Sequence, residues 1–122
     1  MPTPAGHTSA IRAKKVIGSS VKDASGSQIG KIEDIVLDKM SDNVMFAVVG
    51  FGGVLGMGEK FHPVPWSTLS YEPSQDCYIL NATKDELEKA PADTIDELTR
   101  ADGAAFRDEA YRHYGAQPYW RA

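Results

Sequence analysis

Three histidines, one cysteine and a few clustered carboxylates are the residues of this 122-residue chain that could do chemistry. His7, His62 and His113 are the candidate metal ligands, but a metal site needs spacings such as His-x-x-x-His or Cys-x-x-Cys, and neither occurs. His62 sits between Phe61 and Pro63 on a predicted strand, and His113 on a helix face shared with aromatics. Both are expected to pack rather than to ligate. Cys77 lies in the strand-like run "CYIL", where a lone thiol serves as a small hydrophobe. A single cysteine also excludes an internal disulfide. Glu33 and Asp34 could form a carboxylate pair, yet neighbours in a strand point to opposite faces, which spoils general acid–base catalysis. Ser25, Ser27, Ser41 and Ser74 fall at turns, where local hydrogen bonding accounts for them. No Gly-x-Ser-x-Gly occurs. No catalytic residue, no metal and no cofactor is expected, and the chain is not expected to be an enzyme.

The remaining chemical candidate is "GFGGVLGMGEKFHPVPW", Gly50 to Trp66, with five glycines in its first nine residues. It fails as a phosphate cradle. A P-loop needs Gly-Lys-Ser/Thr, whereas Glu59 separates Gly58 from Lys60 and Phe61 replaces the hydroxyl. The dinucleotide pattern fails because the third glycine would fall at Leu55. No predicted helix follows to offer its N-terminus to a phosphate. The glycines are therefore expected to let a sheet edge turn between "FAVVG" and "KFHPVPW". Val54, Leu55 and Met57 then either cover an open barrel end or form an exposed apolar contact for a partner.

The elements that must position these residues divide into a β part and a helical part. Met1 to Ala10 is rich in Pro, Thr and Gly and is expected to be a disordered arm. From Ile11 to about Leu80 strand-like runs alternate with turns: "KVIGSSVKD", the turn Ala24–Ser27, "QIGKIEDIVLD", the turn at Asp42-Asn43, "VMFAVVG", "FHPVPW", "LSYE", "PSQD" and "CYIL". About six short strands with regular turns predict a small barrel. In the long second strand Ile29 and Ile32 cannot share a face. Regular alternation puts Ile35 with Leu37 and Ile32 with Val36. A bulge or burial on both faces would reconcile them. Trp66 follows two prolines, so its strand should be an edge or a bulged one. Its indole is expected to bury among Ile32, Val36, Val48 and Ile79.

Beyond residue 82 the pattern becomes helical. Thr83 and Glu86 have capping-box spacing, as do Thr94 and Glu97. Asp102 is the expected cap of "AAFRDEAYRHYG", where Phe106, Ala110, His113 and Tyr114 share one helix face. These short segments are marginal alone. They should dock on the chain's own barrel or exchange with a second subunit as a two-fold homodimer. Tyr119 and Trp120 in the extended "AQPYW" join Val54, Leu55 and Met57 as expected partner-contact residues.

Charge and hydropathy narrow the partners. A net charge of −4 argues against nucleic acid, the only basic cluster being Arg12, Lys14 and Lys15. No apolar run approaches the roughly 20 residues that span a bilayer, and the N-terminus lacks a signal-peptide pattern. A cytoplasmic location is the default.

The combination of Ile17-Gly18, the Gly30-x-Ile32-x-Asp34 strand, the glycine stretch and Val64-Pro65-Trp66 resembles the PRC-barrel family. The resemblance covers about Ala10 to Ala82, and "HYGAQPYW" is similar to the extension of free-standing bacterial members. Relatives in that family include the cytoplasmic domain of the photosynthetic reaction-centre H subunit and the C-terminal domain of a ribosome-maturation factor, both binding or assembly modules. The resemblance implies a mainly β fold: a disordered arm over 1–10, a PRC-type barrel of about six strands over 11–82, and a helical C-terminal extension over 83–122. It implies a non-catalytic interaction module with an undefined protein partner. An RNA- or ribosome-associated factor is the alternative, and an enzyme or small-ligand binder the third reading.

Overall fold

The computed structural model describes residues 10–51 and 61–120. Six strands lie in one mixed sheet: β1 Ser20–Asp23, β2 Gln28–Asp38, β3 Asn43–Gly50, β4 His62–Val64, β5 Leu69–Glu72 and β6 Cys77–Leu80. Their order across the sheet is β4-β3-β2-β1-β6-β5. All pairs are antiparallel except β1 with β6, which is parallel. The two edges, β4 and β5, are consecutive in the chain and joined through a 3-10 turn at Trp66–Thr68. Five strand spacings would put the edges about 24 Å apart in a flat sheet. The five Cα steps from Val64 to Leu69 reach at most about 18 Å. The sheet must therefore curl, and the result is a half-barrel with a side-chain-filled interior.

Three extra residues in the ladders produce the curl. The register skips Ile29 and Glu33 on β2 and Met45 on β3. The skip at Glu33 reverses the alternation, so Ile32 and Ile35 both contribute to the interior cluster while Val36 faces the other way. This is the bulge that the apolar pattern of the strand called for, at a position the sequence left open. Gly30 explains its own identity, because a Cβ there would overlap the Gly50 carbonyl oxygen where β2 crosses β3.

The core has two parts, one on each side of β3. Inside the curl, Val21, Ile32, Ala47, Val49, Phe51, Val64 and Leu80 pack together. On the outer face, Met45, Phe46 and Val48 pack against Leu98, with Ile95 and Phe106 alongside. β3 is thus buried on both faces, and the second face is covered by the C-terminal helices α3 Ile95–Thr99 and α4 Ala104–Tyr114. The extension thus covers the outer face of β3.

Local expectations meet mixed outcomes. Between Ala10 and the sheet, Ala13–Val16 forms a helical turn, α1, that buries Val16; β1 begins only at Ser20. Trp66 follows edge strand β4 but lies in the 3-10 turn, half-buried. It packs against the interior cluster with its ring 5.5 Å from that of Tyr78. Val36 and Val48, expected beside it, belong to the outer cluster; on β2 it is the Glu33 bulge that turns Val36 outward. α2 Lys84–Glu88 carries the full capping box of Thr83 and Glu86. Thr94 accepts from the Glu97 N–H, while its own N–H is taken by Asp93 instead of Glu97. The N-cap residue of α4 is Gly103, in the left-handed region and with no side-chain cap, where Asp102 was expected.

Candidate functional site

The β2–β3 hairpin ends in "LDKMSDN", and its tip exposes two large apolar side chains. Leu37 is 65% exposed and Met40 94%. Between them Asp38 closes the turn: its Oδ1 accepts the Met40 N–H at 3.0 Å, and its carbonyl accepts the Asp42 N–H. Its other oxygen, Oδ2, accepts the Tyr119 hydroxyl at 2.6 Å, across 81 residues. Tyr119, the Met40 N–H and more weakly Ser41 and the Arg107 charge hold the Asp38 carboxyl below its ordinary pKa.

The tail that delivers Tyr119 is built around α4. The helix ends at Gly115, whose φ of 66° is the left-handed cap that glycine adopts freely. The N–H groups of Gly115 and Ala116 return to the carbonyls of Arg112 and Tyr111. Pro118 then keeps the chain extended, so Tyr119 and Trp120 fold back on α4. Tyr111, Tyr119 and Trp120 meet edge to face, with centroids 4.7 Å apart for Tyr111 and Trp120 and 5.0 Å for Tyr119 and Trp120. The buried Tyr111 hydroxyl donates to the Met45 carbonyl at 2.9 Å, and burial pushes its pKa up to about 12. Arg107 ties the group together. Its guanidinium lies 3.9 Å from the Trp120 ring centroid, and it pairs with Asp108 at 3.1 Å. Beside this cluster a cleft of about 230 Å³ is lined by Asp108, Tyr111, Arg112, Ala116, Pro118 and Trp120.

The Tyr119–Asp38 bond therefore joins hairpin tip and tail into one surface region, with Leu37 on the side of β2 opposite Val36 and Asp38. Of the five expected contact residues, Tyr119 and Trp120 lie in this region, half-buried and partly engaged by their own chain. Val54, Leu55 and Met57 lie outside the described residues, as does His7. Leu37 and Met40 escaped sequence analysis because a hydrophobe in an alternating strand or turn carries no mark of exposure. Only the placement of the extension shows that it leaves them uncovered.

The other chemical candidates are scattered. Cys77 is buried in β6. Glu33 is exposed at its bulge, while half-buried Asp34 accepts the Ile35 N–H at 2.7 Å. His113 makes a 2.8 Å hydrogen bond with the Glu86 carbonyl, tying α4 to α2. His62 is fully buried with its ring 4.3 Å from Phe51. Neither of its nitrogens has a partner of hydrogen-bond geometry. Burial, reinforced by the charge of His113 and only partly opposed by the nearby Pro91 carbonyl, lowers its pKa to about 4. His62 is thus a neutral core ring. Among the described residues no three His, Cys, Asp or Glu come together to hold a metal ion.

A curled six-stranded mixed sheet, with its edges linked by a short turn and its interior filled by side chains, defines a small barrel-type fold. The family model of the PRC-barrel domain matches residues 9–87, and the chain belongs to that family. Membership points to a protein-interaction module of a general kind. The match takes in the hairpin tip and ends within α2, so the tail half of the described face lies beyond it. No match emerged among curated proteins. Among the described residues no helix is long and apolar enough to cross a membrane.

Proposed function

We propose that this chain is a non-catalytic interaction or assembly module that meets a protein partner through the face formed by the β2–β3 hairpin tip and the C-terminal tail. The observation that carries this reading is the exposure of Leu37 and Met40, 65% and 94%, beside an aromatic cluster fixed to the same hairpin. Scattered apolar residues on a surface are ordinary. Two on one hairpin tip, whose turn is closed by Asp38 and tied through that residue to Tyr119, supply apolar surface of the kind that recognition surfaces use. The scattered histidines and buried cysteine support the absence of catalysis. The net charge of −4 favours protein over nucleic acid, and a cytoplasmic location is part of the proposal.

Quantitative affinity enrichment compares the wild type with a Leu37→Ser, Met40→Ser variant. The proposal expects one or a few proteins to be lost from the variant while its melting temperature is retained. An unchanged set of captured proteins would overturn the assignment to this face.

A further inference from the structure

The cleft beside Trp120 has a chemistry of its own. Its volume, about 230 Å³, falls below the roughly 300–1,000 Å³ of small-molecule sites and suits one or two side chains. Tyr111, Ala116, Pro118 and Trp120 give it an apolar wall. Two charged residues, Asp108 and Arg112, stand at opposite ends of one helical turn of α4 and complete the lining.

These two charges are not equivalent. Asp108 Oδ1 receives both Nε and Nη2 of Arg107, each at 3.1 Å, so its charge is offset within the chain. Arg112 is exposed and makes no ion pair among the described residues. The lining of the cleft therefore combines aromatic side chains with one exposed guanidinium that makes no ion pair among the described residues, although Asp108 and Glu109 lie one helical turn away. A cationic guest would also meet Arg107, which already stacks on the Trp120 ring.

We infer that this cleft seats an apolar side chain flanked by a carboxylate, presented by an acidic segment of a protein partner. The inference rests on the interaction-module reading and adds the chemistry of the partner. Arg112 supplies charge complementarity, which sets orientation and partner choice. Trp120 and Tyr111 supply the apolar contact.

The test uses the full chain and two capped hexapeptides, Gly-Glu-Leu-Phe-Glu-Gly and Gly-Lys-Leu-Phe-Lys-Gly, followed by heteronuclear NMR. The acidic peptide should give saturable shifts at the Trp120 indole N–H and at the Arg112 and Ala116 amides, weakening as salt is raised. The lysine peptide should bind at least about fivefold more weakly, and Arg112→Glu should reverse that preference. Arg112 is exposed, so the variant's melting temperature should match the wild type; Arg112→Gln, expected to abolish the preference, is read if it does not. Equal binding of both peptides, absence of saturable shifts, or a preference untouched at Arg112 would overturn the inference. Should the peptides fail while the Leu37→Ser, Met40→Ser variant still loses its captured proteins, the interaction module stands and only the cleft assignment falls. Should the enrichment be unchanged while the peptides bind as expected, the cleft assignment stands and only the hairpin-tip contact falls.

Discussion

His62 shows what a single buried residue does to the whole chain's response to acid. Its folded pKa, about 4, lies below the ordinary value of 6.5. Above pH 6.5 the ring is neutral in both states and its environment costs nothing. As pH falls from 6.5 toward 4, the unfolded chain takes up a proton that the folded one refuses. Stability should drop across that window by roughly 3 kcal/mol. Asp38, whose pKa is lowered in the fold, adds a further loss at more acid pH, as its carboxylate is protonated. Denaturation midpoints measured from pH 7 to 4 check this: His62→Phe should flatten the slope above pH 4, and an unchanged slope would refute the assignment. Arg107 is the second residue with consequences beyond its size. Arg107→Ala removes the stacking on Trp120 and the pair with Asp108. It should cost about 1 kcal/mol and shift tryptophan emission to the red. Arg107→Lys should recover only part, since an ammonium lacks the planar face. Full recovery by lysine would mean that charge alone matters here.

At the scale of the element, β2 decides the fold. Its two extra residues, Ile29 and Glu33, bend the sheet, and Gly30 lets β3 pass close by. Gly30→Ala must push the Gly50 backbone aside and should cost about 3 kcal/mol or more, if the chain folds at all. A chemical-denaturation midpoint within error of wild type would show that β2 and β3 do not cross as described. The same strand shows what was legible beforehand. The six strands were readable because turn residues punctuate them, and the α2 cap because Thr83 and Glu86 are local partners. The parity of Ile35 was not readable, because one bulge at Glu33 reverses it and bulges leave no fixed residue signature. Trp66 was misplaced for the same reason: its neighbours depend on which side of β2 faces inward. Being half-buried, Trp66→Ala should cost about 2 kcal/mol, below the 3–5 kcal/mol of a fully buried tryptophan.

For the molecule as a whole, the extension completes the core. Without α3 and α4, Met45, Phe46 and Val48 on the outer face of β3 would meet water. Truncation after Ala90 should therefore lower the melting temperature and promote aggregation, and a truncated chain as stable as the full one would exclude docking. Light scattering on both forms also tests a tail-exchanged homodimer, which would make the same contacts in trans. A full-length dimer that truncation converts to a monomer would show the exchange, and a full-length monomer would exclude it. The candidate face was only half legible in the sequence. Tyr119 and Trp120 stand out as exposed-type aromatics in an extended tail, but their partner Asp38 lies 81 residues away. No local pattern announces such a contact.

The central claim is that the hairpin tip and tail make the partner-binding face, and site-specific photo-crosslinking in cells tests it most directly. A photoreactive residue replaces Met40 in one strain and Ser74, on the exposed turn between β5 and β6, in another. The products are identified by mass spectrometry. The prediction is a discrete protein adduct from position 40 that is absent from position 74 and is diminished by Leu37→Ser in the same chain. Adducts of equal yield from both positions, or none from position 40 alongside a discrete one from position 74, would contradict it.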